Sequence, residues 1–380
     1  MKITAMAVAL SVSTPVFAQE TATSPAVTKL SLANAKFARF VPKANPNQTH
    51  IDYAAWDEAL KYFVFRMGKS IRESSPRPEP GMATRRVYGH DSRYRLEGNR
   101  VIFSFLEPEI IEAISEYRKD LENTADQVEI SSLSRNEQLA FWINLHNAAV
   151  IEQIALAYPV SQPRSIKIGD STAPFDETPF ITVNNVKMSP KDIRTNIVFQ
   201  NWNDPRIMFA FFRGEIGGPS IQGEAFDSRS TSGLLEKSAS EFINSLRGTQ
   251  KSGSVLHVSE IFEEARPYFF PDWPNDLKAF LLKFSDAEVT KIVTETDTVE
   301  ADIYEADIAD LAKGERDPGY GYVLSDDRMK GSRLNAAVGR LLGEREQKLM
   351  KVIRRGNVRG EVTVIDIALP GEPVEPDEIK

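Results

Sequence analysis

Polar side chains that could do chemistry interrupt the largely apolar stretch SRNEQLAFWINLHNAAVIEQIALAYP at residues 134–159, among them Glu137, Asn144, His146 and Asn147. At about 100° per residue on a helix, Glu137, Asn144 and Asn147 share a side with Ala140 and Ile151, while His146 points roughly the other way. A carboxylate and two amides on one face can receive a ligand or anchor neighbouring backbone. A buried amide left unpaired costs about 1–3 kcal/mol. Asn144 and Asn147 are therefore expected to bond to the apolar run Arg206 to Phe212 or to the glycine loop that follows, with Arg206 and Glu215 at the nearby surface. His146 reads as a satisfied or partly exposed histidine. Ser220, just past the loop GEIGGPS, is the remaining candidate nucleophile.

Other chemistries find little support. The chain has no cysteine, which removes disulfides, thiolate metal sites and a cysteine nucleophile together. A serine triad needs a histidine and a carboxylate beside the serine. The only histidines are His50, His90, His146 and His257, and no GxSxG elbow occurs. No HExxH or similar ligand spacing points to a metal, and GEIGGPS lacks the lysine of a phosphate loop. A carboxylate pair for glycoside hydrolysis stays compatible with a chain holding 54 acidic residues, because pairing in space does not show in sequence. No catalytic residue, metal ligand or cofactor is assigned on this basis.

The elements that position these residues are led by the 134–159 stretch itself. Ser134 and Glu137 form a capping-box pattern, Pro159 ends the helix at Tyr158, and apolar residues spread around the whole cylinder, so it must be covered on most sides. Asp52 can cap a helix carrying Tyr53, Trp56, Leu60, Phe63, Val64 and Met67, ending near Gly68. Lys69 to Arg100, with SSPRPEPG and a basic excess, reads as an exposed excursion before a short strand Val101 to Phe105. An amphipathic helix follows Pro108. Ile166 and Ile168 suggest a strand, and residues 180–188 a hairpin turning at Asn184-Asn185. Ser189-Pro190 starts a helix. Arg206 to Phe212 reads as a strand buried on both faces. Further on come a helix from Leu234 to Leu246, a strand Val255 to Val258, a helix Asp276 to Phe284, a basic helix around Asn335 to Ile353 and a final strand Glu361 to Ile367.

With 41% hydrophobic and 26% charged residues, the 380-residue chain is ordinary globular material. Its net charge of −8 gives no overall attraction to nucleic acid. Charge is segregated: residues 286–317 hold 11 acidic and 3 basic side chains, whereas residues 328–359 hold 10 basic and 2 acidic, as solvated or mutually facing surfaces would. Lys2, the apolar run Ile3 to Val12, Pro15 and Val16-Phe17-Ala18 before Gln19 form a secretory-signal pattern. The expected product is an exported protein, periplasmic or secreted, with no integral membrane segment once residues 1–18 are removed. The remaining chain divides into a flexible lead-in at 19–49, a domain at 50–285, a C-terminal extension at 286–369 packed on it, and a disordered tail at 370–380.

Six segments together resemble the domain of unknown function 547 of bacteria and plants. They are IDYAAWDEALKYF, NEQLAFWINLHNA, TVNNVKMSPKDI, NDPRIMFAFF, the PS pair after the glycine loop, and VSEIFEE, over roughly residues 50–285. The resemblance implies an α+β fold in which the signature helix packs on a mainly antiparallel sheet, likened to papain-like and transglutaminase-like cores. Members often carry a histidine in the strand after the DPR turn and cysteines around the glycine loop. Here those positions are Met208 and about Gly218, and Ser220 replaces the second of two prolines. Nucleophilic catalysis of that kind would lack nucleophile and base. The resemblance therefore implies a non-catalytic binding or scaffolding protein of the cell envelope, partnered by an envelope protein or a small ligand. The competing reading is an envelope hydrolase of peptide, ester or amide bonds, using Ser220 or a carboxylate pair involving Glu215.

Overall fold

The computed structural model describes residues 35–80, 87–315 and 336–356. Its elements are helix α1 (Ala54–Phe63), strands β1 (Val64–Phe65) and β2 (Arg100–Val101), helices α2 (Pro108–Gln127) and α3 (Arg135–Ala157), and strands β3 (Ile181–Val183) and β4 (Val186–Met188). Helix α4 follows, with a π segment at Ile193–Val198 between α-helical Pro190–Asp192 and Phe199–Asn201. Then come α5 (Thr231–Ile243), β5 (Thr249–Ser252), β6 (Val255–Ser259), α6 (Ile261–Phe269), α7 (Asn275–Phe284), α8 (Ala287–Thr294), β7 (Thr298–Ile303) and α9 (Ala336–Arg354). The fold is α+β with small sheets: antiparallel pairs β1–β2 and β3–β4, and a three-stranded sheet β5-β6-β7 in which β5 runs antiparallel and β7 parallel to β6. No helix among the described residues is long and apolar enough to cross a membrane.

Helix α3 is the axis of the core. Eighteen of its 23 residues are buried, as its all-round apolar pattern requires, and its helical neighbours are α2, α4 and α5. Ser134 accepts the Glu137 N–H at 3.3 Å, and Tyr158 leaves the helix with extended geometry before Pro159. The other half of the expected capping box does not form. The Glu137 carboxylate turns outward instead, accepting the Ile51 N–H at 3.2 Å and meeting His50 Nδ1 at 3.0 Å. Phe40, in the segment read as a lead-in, packs edge-on against Trp142 of α3 at 5.1 Å.

The two amides of α3 bond to backbone. Asn147 donates to the Ala210 carbonyl at 2.9 Å and accepts the Phe212 N–H at 2.9 Å. Asn144 takes neither the Arg206 to Phe212 run nor the glycine loop expected for it, but Phe226 beyond both, donating to its carbonyl at 2.7 Å and accepting its N–H at 3.2 Å. The Asn147 bonds explain why Arg206 to Phe212 is not the doubly buried strand its composition predicts. Pro205–Ala210 is a 3-10 turn, and the extended residues after it pair with a side chain instead of a neighbouring strand.

Four further expectations need correction. Helix α1 stops at Phe63 because Val64 and Phe65 pair with Val101 and Arg100. No strand forms at Ile166 or Ile168, where the chain leaves a 3-10 turn at Pro163–Ser165. Strand β2 is two residues long, and Phe103–Phe105 is a 3-10 turn. The region Lys69 to Arg100 is an exposed excursion only in its first part, where Glu73, Arg77, Glu79 and Pro80 are exposed; further on, His90, Arg95, Glu97 and Arg100 are buried. Helix α9 covers it, Glu344 taking Arg95 at 2.6 and 2.9 Å and Lys348 Nζ donating to the carbonyls of Met67, Gly68 and Leu96 at 3.2, 3.3 and 2.7 Å. Burial lowers the Lys348 ammonium to about 8. The hairpin at Asn184-Asn185 forms as expected, with φ of 49° and 63° at the two asparagines, and Ser189 with Asp192 makes a complete capping box. The proposed signal and the strand Glu361 to Ile367 lie outside the described residues.

Each asparagine satisfies two buried backbone groups, so replacing either by leucine strands both. Asn147→Leu and Asn144→Leu are each expected to cost about 2–5 kcal/mol, read as a lower urea midpoint with an unchanged m-value. A loss below about 0.5 kcal/mol would remove the anchoring role.

Candidate functional site

Glu137 forms the floor of a cleft of about 520 Å³ between the chain leading into α1, the first turn of α3 and the loop before α5. The walls carry His50, Asp52, Tyr53, Asp57, Glu224 and Asp227. Local sequence sets Asp52 and Asp227, and a distant backbone group sets Asp57. Asp52 accepts the Ala54 N–H at the start of α1, and Asp57, one turn on, reaches across to the Ala225 N–H at 3.0 Å. Asp227 takes the N–H groups of Arg229 and Ser230 at 2.7 and 2.6 Å. The loop that carries Glu224 and Asp227 is the one clamped at Phe226 by Asn144, so the structural role of that asparagine also fixes one wall of the cleft.

The electrostatics are acidic. Asp57 pairs with Lys61 and Glu224 with Lys237, leaving Asp52, Glu137 and Asp227 against Arg229 and His50. Burial would raise Asp57 and Asp227. Lys61 and the Ala225 N–H hold Asp57 below the usual carboxylate range, and the N–H groups of Ser230 and Arg229 do the same for Asp227. The Tyr53 hydroxyl is buried and finds no hydrogen-bond partner on the protein. Its burial, with the Glu137 charge beside it, pushes its ionisation well above the ordinary phenol value, so it stays a neutral hydroxyl that can donate and accept.

His50 is the exposed member, with 64% of its side chain open to solvent over a Glu137 side chain that is 1% exposed. An imidazole backed by a buried carboxylate is the start of acid–base machinery. Ser228 Oγ, however, lies 3.4 Å from Nδ1, the nitrogen that already faces Glu137 at 3.0 Å. Serine and carboxylate therefore contact the same nitrogen, and not opposite ones as a nucleophilic triad requires.

The remaining sequence candidates lie elsewhere. Arg206 borders a second, aromatic cleft with Tyr268, Phe269 and Phe280, and is held by Asp204. Glu215 is buried and saturated, accepting from Arg164 at 2.9 and 3.0 Å and from the Tyr304 hydroxyl. Ser220 is buried too, and its hydroxyl accepts the Asn99 N–H at 3.1 Å and Arg247 Nη2 at 2.8 Å. A cation is no base, so nothing there withdraws the serine proton. Arg247 also donates to the Gly218 carbonyl and pairs with Glu241. Gly98, at φ 68°, makes room for its guanidinium: a Cβ there would stand 2.7 Å from it. Met208 is buried, and a Cβ at Gly218 would lie 3.3 Å from the Arg213 Cβ, so the loop is closed tightly at the position read as the family's cysteine.

His146 is fully buried, not partly exposed. Its Nδ1 faces Asn147 Oδ1 at 3.0 Å and its Nε2 faces Arg194 Nη1 at 3.1 Å. Because Arg194 can only donate, the ring is neutral with its proton on Nδ1. Arg194, turned inward by the π segment of α4, spans Asp176 and Glu264, and Arg213 adds to Glu264 at 2.7 Å.

Residues 130–243 match the family model of DUF547, a protein of unknown function. That match runs from just before α3 to the end of α5 and supports the family resemblance over the signature helix, the hairpin and the glycine loop. No curated protein and no solved structure matches the chain.

Sequence reasoning found Glu137 and Asn144 but missed His50, Tyr53 and Asp227 as their neighbours. Asp52 and Tyr53 carried only a capping and core signal. His50 lies 87 positions from Glu137, with no periodicity linking them.

The His146 environment predicts acid lability. Burial, then the Arg194 charge, lowers His146 to about 3, and burial with Arg100 does the same to His90. The unfolded chain takes up those protons near pH 6.5 and the folded one does not, so stability falls as pH drops below that value. Although burial alone would raise Glu264, Arg194 and Arg213 hold it at about 2, and its contribution is lost further down, below about pH 4.5. Between pH 6.5 and 4.5 each buried histidine should contribute a slope of up to about 1.4 kcal/mol per pH unit. Urea unfolding across this window should show a shallower slope in His146→Asn. An unchanged slope would mean that His146 titrates alike in both states.

Proposed function

We propose that the chain is an exported, non-catalytic binding protein of the cell envelope, whose ligand presents an ammonium or guanidinium group to the Glu137 cleft. The observation that carries this is the cleft itself: Glu137, Asp52 and Asp227 converge above the start of α3, with the Tyr53 hydroxyl buried in the wall and without a protein partner. A cationic group with several N–H donors suits such a set, since charge-assisted hydrogen bonds are about twice as strong as neutral ones. The non-catalytic part rests on Ser220 and Glu215 being tied to arginines, and on Met208 and Gly218 at the positions where the resemblance expects histidine and cysteine. Export rests on the pattern of the first 18 residues.

Calorimetry with spermidine and with short peptides bearing N-terminal lysine or arginine tests the cleft. Glu137→Gln and Asp227→Asn should each weaken binding about 10- to 100-fold, the loss of a hydrogen bond to a charged group. The remote Asp272→Asn should leave it unchanged. Failure of every cationic probe to bind would overturn the reading.

One observation favours a second reading, a hydrolase based on the exposed His50 over Glu137. Profiling with ester, amide and glycan substrates decides it: turnover abolished by His50→Ala would replace the non-catalytic assignment. N-terminal sequencing of the protein from its native host tests export, with Gln19 expected as the first residue and a start at Met1 excluding it.

A further inference from the structure

We propose that the outer face of the three-stranded sheet is a divalent transition-metal site, with His257, Glu300 and Asp302 as its protein ligands. His257 on β6 is the cross-strand partner of Glu300 on β7, and Asp302 follows two positions along the same strand. Residues two apart on a strand share a face, and the irregularity in pairing opposite Val258-Ser259 leaves Asp302 without a cross-strand partner, its carboxylate against the His257 imidazole beside Glu300. The three donor atoms lie within 4.8 Å of one another.

Three observations make this donor set more than a solvated acidic surface. First, both Asp302 oxygens stand 2.9 Å from His257 Nδ1, so the carboxylate is squared onto one nitrogen, and a cation taking the place of that proton would find three donors around it. Ligand atoms about 2.0–2.2 Å from zinc are roughly 3.3–3.6 Å apart, within reach of small side-chain rotations from the present arrangement. Second, among the described residues neither Glu300 nor Asp302 pairs with a lysine or arginine, whereas the nearby acids Glu288 and Glu295 both do. The basic residues at this sheet are engaged elsewhere: Arg93 by Gln250, the cross-strand neighbour of His257 on β5, Arg72 by Thr249 and Glu288, and Lys251 by Glu295. Two like charges on one strand face are mildly destabilising unless compensated, and a divalent cation compensates both. Third, the ligands sit on two paired strands and not on loops, which holds the donors in place.

The donor chemistry selects the metal. One imidazole and two carboxylates suit Zn²⁺, Co²⁺, Ni²⁺ or Mn²⁺, whereas Mg²⁺ and Ca²⁺ favour all-oxygen sets. Three protein ligands leave at least one position for water or a ligand group. Bound metal would clamp β7 to β6. The chain leaving β7 runs onto the glycine loop, where Gly217 N–H bonds the Glu305 carbonyl at 2.8 Å and Ile216 N–H the Asp307 carbonyl at 2.8 Å, so the clamp would also secure that loop.

The test is Zn²⁺ titration of the full chain without a polyhistidine tag, by calorimetry and by thermal unfolding after EDTA treatment. One saturable Zn²⁺ per chain is expected, with a Tm that rises with Zn²⁺ and not with Mg²⁺. His257→Ala and Asp302→Asn should each weaken uptake at least about 10-fold, the loss typical even for outer-sphere partners of a metal site. Glu300→Gln, an exposed and isosteric change, guards against a folding artefact. His50→Ala separates this site from the acidic cleft and should leave uptake unchanged. Absence of saturable uptake, or uptake that survives His257→Ala but is lost in His50→Ala, overturns the assignment.

Discussion

The fold depends on a substitution of side chain for strand. Helix α3 is buried on nearly every side, so the chain packed along it has no water for its peptide groups and no adjacent strand to pair with. Asn144 and Asn147 supply the missing ladder, each offering one donor and one acceptor to the backbone of a passing segment. A carboxamide reproduces the pattern of a peptide group, and so it can end a run of unsatisfied backbone without a charge that would itself need compensation. The Phe226 loop and the Ala210 to Phe212 segment are thereby set against the same helix, three residues apart along it.

Around that axis the protein uses buried cations as pins. Arg194 joins α4, α6 and the chain before β3 through two carboxylates, and Arg247 gathers the glycine loop, Ser220 and Glu241. Such charges cost heavily to desolvate, and they persist because nearly every donor is occupied. This arrangement explains why side chains that could look catalytic in a list of polar residues are structural in place. Glu215, Ser220 and His146 each face an arginine, which can stabilise an acceptor but cannot remove a proton. The acidic cleft differs in kind: its carboxylates are fixed by one or two backbone N–H groups, and among the described residues no buried arginine is tied to them.

Much of the fold was legible from local rules. The start of α3 at Ser134, its stop at Pro159, the Asn184-Asn185 hairpin and the Ser189 cap depend on residues within a few positions of one another, where turn and capping chemistry decide. The anchoring role of the two asparagines followed from the cost of burying an amide. What failed depended on partners distant in the chain. Arg206 to Phe212 has the composition of a central strand, and only the position of Asn147 explains why it is not one. Lys69 to Arg100 has the composition of a surface loop, and only Glu344 of α9 gives the buried Arg95 its carboxylate partner. The cleft was missed for the same reason, since Asp52 and Asp57 carry ordinary helix-start and surface signals until the Phe226 loop is laid beside them.

Lys348 carries a consequence for the order in which the molecule can be built. Its ammonium serves carbonyls at Met67, Gly68 and Leu96, which are synthesised 252 to 281 residues before it. The α2–α3 pair and the β3–β4 hairpin can form from contiguous chain as it emerges, whereas the layer around Arg95 and Glu97 has to wait for α9. Closing so long a loop is entropically slow, and contacts of this separation dominate folding times. The last helix to leave the ribosome among those described is thus the one that covers the β1–β2 edge, through Arg345 on the Arg66 carbonyl and Lys348 on those of Met67 and Gly68.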